Sequence, residues 1–242
     1  MGYKGGVLTA LLYGLAASSA LVVGGVIGAR WTPPRHVTAL LLAFASGALI
    51  SALAFELFED AYELGGAARS GLGLLAGAVV FVVLDGLLER RATGTTGGDA
   101  RQAGVGLMLL GAVTLDGVPE NLALGVSLVE GASVSLLVAI FFSNLPEALV
   151  GAVAMRQGGN RPRTVIWLWT ACALALAAAV LIGRGVAGDM SDAALSVSLG
   201  FAGGAVLASL ADTLMPEAFE HGRPANALAT VAGFFLAFVI AV

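Results

Sequence analysis

Charge, cysteine and histidine are all scarce in this sequence, and each shortage excludes a class of protein. Charged residues make up 12% of the 242 residues and hydrophobic residues 58%, whereas soluble domains carry roughly 25% charged and 45–50% apolar residues. The single cysteine, Cys172, excludes an intramolecular disulfide framework and a cysteine-based zinc site. The composition predicts an all-α membrane protein whose surroundings are the lipid bilayer, and we expect no nucleic-acid partner.

Histidine is nearly absent as well. His36 and His221 are the two histidines, and both are predicted near the inner ends of helices. The sequence has no H-E-x-x-H motif, and no Ser–His or Cys–His pair is expected at membrane depth. We therefore expect neither an enzyme nor a prosthetic group. An intramembrane protease built on a dyad of Asp116 and Glu147 is the enzymatic alternative.

Apolar runs occupy most of the chain. Because a transmembrane helix needs about 20 apolar residues, the sequence accommodates eight spans, near residues 6–29, 37–58, 70–88, 104–128, 133–155, 164–183, 193–215 and 224–242. The first run lacks a charged n-region and a small-residue cleavage site, so it is interpreted as a span and not as a removable signal.

The basic residues predict the orientation. With the N-terminus outside, the outer loops hold three basic residues (Lys4, Arg69 and Arg184), and the inner loops hold the other nine of the twelve: Arg30, Arg35, Arg90, Arg91, Arg101, Arg156, Arg161, Arg163 and Arg223. Cytoplasmic loops carry such an excess of Lys and Arg. Both termini are therefore predicted to be extracytoplasmic, in a multi-pass protein of the cell (inner) membrane.

Two segments of the chain repeat each other. Residues 44–63 match residues 201–220 at nine of twenty positions with a constant offset of 157. The copies lie in the second and seventh spans and run in opposite directions, as in inverted-repeat transporters. We predict one transmembrane domain over residues 1–242: a first repeat (1–101), a central hairpin (102–160) and a second repeat (161–242), which is a 3+2+3 bundle.

The central hairpin carries a Pro-Glu pair in each of its two helices. The first segment reads D-G-V-P-E-N (116–121) and the second S-N-L-P-E-A (143–148). With a turn at residues 130–133, Asp116 falls opposite Glu147 and Glu120 opposite Ser143. Residues spaced i, i+4 share one helix face, so these four side chains and Asn144 converge near the bilayer midplane.

Clustered carboxylates at that depth need protons or a cation. Each costs at least about 2.5–3.5 kcal/mol on insertion scales, and neighbouring carboxylates repel one another. Asp, Glu, Asn and Ser oxygens suit a divalent metal ion. Pro119 and Pro146 also free the carbonyls of Leu115 and Phe142. A pair of structural kinks with buried, protonated acids is the alternative.

These motifs resemble the fourth and fifth transmembrane helices of the ZIP family of metal-ion transporters, whose pattern is roughly H-N-x-P-E-G in each. Residues 200–205 and 215–218 are similar to the family's seventh helix. The resemblance implies a binuclear site with Asp116, Glu120, Ser143, Asn144 and Glu147 as ligands, the two glutamates bridging. Asp116 and Ser143 replace the family histidines, Gly117 replaces an asparagine, and Leu49 stands where some members use methionine.

The loss of imidazole and thioether ligands predicts a harder site. Softness then favours manganese, iron(II) or magnesium-like ions, although carboxylates bind zinc too. We expect the transported substrate to be a divalent ion of the Zn, Mn, Fe or Cd class, moved into the cytoplasm by alternating access. The alternative is a ZIP-like scaffold that binds or senses metal, or moves protons, without uptake.

Other polar residues receive weaker interpretations. Asp212, Glu217 and His221 are candidate pathway residues near the inner side, and Asn121 is at most a marginal ligand because it points about 100° away from Glu120. Met155 and Cys172 are interpreted as packing residues. The many Ala and Gly residues are compatible with a homodimer.

Overall fold

The computed structural model describes residues 2–93, 111, 114, 117–129 and 134–241, with the backbone alone at 2–5, 88–93 and 221. Within these ranges the chain is helical and contains no strand, which confirms the all-α prediction. The helices are α1 (Gly2–Gly28), α2 (Arg35–Ala52), α3 (Glu59–Thr93), α4 (117–127), α5 (Val134–Gln157), α6 (Pro162–Ala187), α7 (Asp192–Ser209), α8 (Met215–Gly222) and α9 (Ala225–Ala241).

Several of these helices are suited to a bilayer. Among the described residues, five stretches are long and apolar enough to cross a membrane: Gly6–Gly28, Arg35–Leu87, Val134–Gln157, Pro162–Ala187 and Asp192–Glu220. A sixth apolar helix, Ala225–Ala241, is shorter. The membrane protein predicted from composition is supported at this level. The number of spans and the side on which the termini lie stay predictions.

The second and third predicted spans are joined through a sharp break at Gly66. The sequence placed a loop between residues 58 and 70; in the structure, helical residues extend up to Gly66 on both sides, and Gly66 itself has φ 70° and ψ 175°. Glycine adopts positive φ without the steric penalty of a β-carbon. Since a 20-residue helix spans about 30 Å, the 53-residue stretch Arg35–Leu87 is long enough for two crossings joined at this break.

The helices that contain the repeat are irregular at matching positions. A π-helical segment, Leu53–Phe58, follows α2, and another, Leu210–Leu214, follows α7. Leu53 and Leu210 are equivalent residues of the repeat. The backbones of the two halves thus share a local deviation that the sequence pattern alone did not predict. Such π segments occur frequently at functional sites.

Glycines produce matching helix contacts in the two halves. A β-carbon on Gly47 of α2 would overlap the Thr230 carbonyl oxygen of α9, and one on Gly204 of α7 would overlap the Leu74 carbonyl oxygen of α3. Gly47 and Gly204 are again equivalent in the repeat. Small residues allow this close approach of helices in lipid, so the same packing solution holds α2 to α9 and α7 to α3.

Contacts divide the helices into two groups. In the first group, α1 packs on α5 and α6, and α4 meets α6 where Gly125 faces the Val180 carbonyl and Gly183 the Leu122 carbonyl. In the second group, α3 packs on α7, and α2 packs on α8 and α9. The hairpin helices therefore share their group with α1 and α6, one helix from each repeat.

The two groups meet differently on their two sides. On one side α2 packs on α5, with the Phe44 and Phe142 rings edge to face at a centroid distance of 5.0 Å. On the other side a cavity of about 790 Å³ separates α4 and α6 from α3 and α7. Its lining is largely apolar and includes Phe81, Pro119 and Phe201.

Gly77 and Gly71, both on α3, give a matched test of the close approach. Gly77→Ala places a methyl group against the Phe201 carbonyl of α7, and we expect it to lower stability by about 1–3 kcal/mol. Gly71→Ala meets no atom of the described chain within 4 Å, so stability should stay unchanged or rise by about 0.5–1 kcal/mol. The apparent melting temperature in detergent measures both, and equal values would contradict the packing.

Candidate metal site

The predicted ligands on the described chain occupy two neighbouring helices. Glu120 lies on α4 and is 4% exposed, whereas Ser143 and Asn144 lie on α5 and are fully buried. Glu147, one turn further along α5, is half-buried. Asp116 lies outside the described residues, so its predicted place opposite Glu147 stays a prediction.

One hydrogen bond joins the two hairpin helices at the site. The Ser143 hydroxyl lies 3.3 Å from Oε2 of Glu120, to which it donates, and 3.1 Å from the Ile140 carbonyl oxygen. A serine hydroxyl has one proton, so these two acceptors share it. Glu120 and Ser143 are one of the two pairs that the hairpin register placed opposite each other, and the structure brings them together.

Proline lies within both helices without ending them. Pro146 sits inside α5, which continues from Val134 to Gln157, and Pro119 lies near the start of the described part of α4. Proline has no backbone N–H to donate to the carbonyl four residues earlier. The Phe142 carbonyl therefore lacks its usual helical donor, directly beside Ser143.

The two asparagines that the motifs contain are bonded differently. Nδ2 of Asn121 donates to the Gly117 carbonyl oxygen at 2.8 Å, a bond within its own helix. Asn144 is fully buried, and neither its Nδ2 nor its Oδ1 has a hydrogen-bond partner among the described residues. Because an unmade buried hydrogen bond costs roughly 1–3 kcal/mol, Asn144 is held at a cost that ligand binding through Oδ1 would offset.

Gly117 has a packing reason for replacing the asparagine of the family pattern. A β-carbon at this position would lie 2.6 Å from Cδ1 of Leu176 on α6. A larger side chain here would require the Leu176 side chain to shift. Leu49, at the position where some family members use methionine, is 1% exposed and belongs to the hydrophobic core.

Cys172 reaches the site from a third helix. Its Sγ lies 3.6 Å from Oγ1 of Thr114, and Glu147 is close enough to interact electrostatically with the thiol. Cys172 also packs with Trp169 and Leu176 in a buried cluster, as the packing interpretation expected. The polar contacts were not foreseen. The signal available in the sequence was depth, since Cys172 and Glu147 both lie near the middle of their spans.

The candidate pathway residues lie outside the two hairpin helices. Glu217 lines a cavity of about 230 Å³ together with Arg35, Thr38 and Gln157, near the inner end of α2 in the predicted orientation. Asp212 is exposed, within the second π segment. The side chain of His221 lies outside the described residues, so its predicted role stays a prediction.

The described part of the chain does not by itself complete a metal centre of acidic, histidine and cysteine ligands. No group of three Asp, Glu, His or Cys side chains within the described ranges is arranged to hold a metal ion. What these ranges contain is Glu120 bonded to Ser143, the unpartnered Asn144, and Glu147 near Cys172. A metal ion here would need oxygen ligands from Asn144 and Ser143, or Asp116, in addition.

Comparisons with known protein families and curated proteins found no match. The likeness to ZIP transporters therefore depends on the two Pro-Glu motifs and the residues around them.

Asn144 and Asn121 offer a matched pair of substitutions. Leucine has nearly the shape of asparagine without its polar atoms. Asn144→Leu should raise the apparent melting temperature in metal-free detergent solution, because it removes an unpartnered buried amide that costs roughly 1–3 kcal/mol.

Asn121→Leu, in contrast, should lower the melting temperature, because a hydrogen bond worth about 0.5–1.5 kcal/mol is lost. Differential scanning fluorimetry with size-exclusion profiles measures both variants. A lower melting temperature for Asn144→Leu without metal would show that the amide has a partner in the protein.

Proposed function

We propose that this protein moves divalent metal ions across a membrane into the cytoplasm. The observation that carries the proposal is the pairing of the buried Glu120 carboxylate with Ser143 of the facing helix, next to an asparagine with no partner in the described chain. Oxygen groups of this kind are costly in an apolar interior unless they serve a ligand. Divalent zinc, manganese, iron or cadmium ions are the proposed substrates.

The matching packing of the two halves supports transport over static binding. Inverted-repeat transporters place the substrate at the interface of their repeats and expose it alternately to either side. Here α2 and α7 make equivalent glycine contacts with α9 and α3, while the proposed ligands lie on the central hairpin. We infer eight spans with both termini outside, consistent with the excess of basic residues in the inner loops.

The division into two groups of helices supports a particular moving unit. The hairpin helix α5 packs on α1, which in turn packs on α6. A large apolar cavity lies between α4 and α6 on one side and α3 and α7 on the other. We infer that α1, α4, α5 and α6 move together against the remaining helices, where the sequence alone suggested the hairpin against the flanking repeats.

A ZIP-like scaffold is the second candidate function. It would bind or sense metal, or move protons, without uptake. The described residues contain no group of three Asp, Glu, His or Cys side chains arranged to hold a metal ion, and a site with few such ligands would bind metal weakly. Transport and binding make different predictions for sealed vesicles, because only transport accumulates the ion inside.

Uptake into proteoliposomes tests the proposal. Wild-type protein should accumulate at least one of Mn²⁺, Fe²⁺, Zn²⁺ and Cd²⁺ above the level of empty vesicles. Glu120→Gln and Glu147→Gln keep the side-chain shape and remove the charge. Each should reduce uptake by at least about tenfold, since the loss of an outer-shell partner alone costs about 10–100-fold in metal affinity.

Asp189→Asn provides the control, because Asp189 is an exposed residue in the turn before α7; this variant should transport like the wild type. Unchanged uptake in both glutamate variants would reject the site. Absence of uptake by folded wild-type protein, with binding retained, would favour the scaffold.

A further inference from the structure

We propose that Cys172 is a metal ligand of the site, so that a thiolate on α6 joins the oxygen groups of Asn144 and Glu147 on α5. This inference rests on the proposed function and adds the class of ion that the site prefers. The sequence pattern predicted a hard site made of oxygen ligands. The folded chain instead places its single cysteine beside Glu147.

The contacts of Cys172 show which groups it faces. Its sulfur lies 3.6 Å from the Thr114 hydroxyl oxygen, and the Glu147 carboxylate interacts with it electrostatically. Cys172 is 6% exposed. Cys172 belongs to an apolar cluster with Trp169 and Leu176, but its sulfur also faces a hydroxyl group and interacts with a carboxylate on another helix.

Asn144 provides the independent evidence that a ligand belongs here. It is fully buried, and both its amide atoms lack partners in the described ranges. At about 100° per residue, Asn144 lies roughly 20° around α5 from Gly151, and Gly151 faces the Trp169 ring of α6. Asn144 is therefore directed towards the side of α5 that meets α6, and Glu147 lies about 60° from it.

Trp169 adds a second polar group without a partner on the same side. Its buried Nε1–H has no acceptor among the described residues, and Trp169 lies about one turn before Cys172 on α6. Asn144 and Trp169 thus place buried polar atoms without hydrogen-bond partners in the described chain between α5 and α6. An ion bound by the Asn144 carbonyl oxygen, the Glu147 carboxylate and the Cys172 sulfur would satisfy the Asn144 oxygen.

Coordination by Cys172 changes the expected selectivity. When the ion binds, the S–H bond breaks, a sulfur–metal bond forms, and the proton is released to the buffer. A thiolate combined with carboxylate and amide oxygens favours Zn²⁺, Cd²⁺ or Co²⁺ over Mn²⁺ and Mg²⁺. The inferred ligand therefore opposes the preference for hard ions that the motifs alone suggested.

Cobalt binding tests the inference directly, because thiolate ligands give Co²⁺ a charge-transfer absorption in the near ultraviolet that oxygen ligands do not. Titration of the full-length protein in detergent with Co²⁺ should produce this band in the wild type and not in Cys172→Ser. Serine keeps a hydroxyl that can bond to Thr114. Cys172→Ser should also lower the ratio of Cd²⁺ to Mn²⁺ affinity by at least about tenfold, as judged against the cost of losing an outer-shell partner.

A relocated cysteine gives the matched control. In Cys172→Ser combined with Ala173→Cys, the single cysteine stays buried on α6, since Ala173 is 5% exposed, but points about 100° away. No charge-transfer band should appear in this variant. A band of equal intensity there would overturn the proposal.

The outcomes separate this inference from the proposed function. Co²⁺ binding of equal affinity to wild type and Cys172→Ser, without the thiolate band in either, would overturn the role of Cys172 and leave an oxygen-only site. Failure of folded wild-type protein to bind Co²⁺, Zn²⁺, Cd²⁺ or Mn²⁺ would overturn both proposals.

Discussion

Every polar side chain in the apolar interior of this protein needs a partner within the protein, because water is scarce there. Ser143 and Glu120 meet this need by bonding to each other across the hairpin. Asn121 meets it in part, since its Nδ2 donates within its own helix while its Oδ1 has no partner in the described chain. Asn144 does not meet it in the described chain, and Glu147 lies close to a thiol. Single unpartnered polar atoms also occur on other helices of the described chain, at Ser18, Ser51 and Asn226. Asn144 lacks a partner for both of its polar atoms, and it lies next to the serine that bonds to Glu120.

The same constraint explains the division of the helices. Close backbone approach at Gly47, Gly77, Gly204 and Gly233 holds the second group together, and the Ser196 hydroxyl of α7 donates to the Ala61 carbonyl oxygen of α3. The first group carries Glu120, Ser143, Asn144, Glu147 and Cys172, and it meets the second through the Phe44–Phe142 contact on one side and across a cavity on the other. Glycine contacts hold the first group together as well, since a β-carbon on Gly24 or Gly28 of α1 would overlap the Leu145 or Leu149 carbonyl oxygen of α5.

Much of this organisation could be predicted from the sequence, and the failures have physical causes. Composition predicted an all-helical membrane protein, and the hairpin register predicted the pairing of Glu120 with Ser143. The break expected between residues 58 and 70 is shorter than predicted and is confined to Gly66, because hydropathy marks where apolar runs end but not where a helix does. A single glycine among many carries no distinguishing signal.

Cys172 shows a second limit. Its spacing from the Pro-Glu motifs has no meaning along the chain, because α6 meets α5 only through tertiary packing. The two motifs therefore predicted only the oxygen ligands of the hairpin, and not the sulfur ligand that we propose on α6. Asn144 illustrates the opposite case, since its position was predicted, whereas the absence of a partner could be seen only after every neighbouring helix was in place.

The two π segments bear on the origin of the chain. An i→i+5 turn holds one more residue than an α-helical turn, so each segment corresponds to a single inserted residue. Leu53–Phe58 and Leu210–Leu214 carry that insertion at equivalent places. If the two halves arose by duplication, as the repeat predicts, a single insertion in the ancestral half accounts for both segments. Unrelated halves would require two separate insertions at one place.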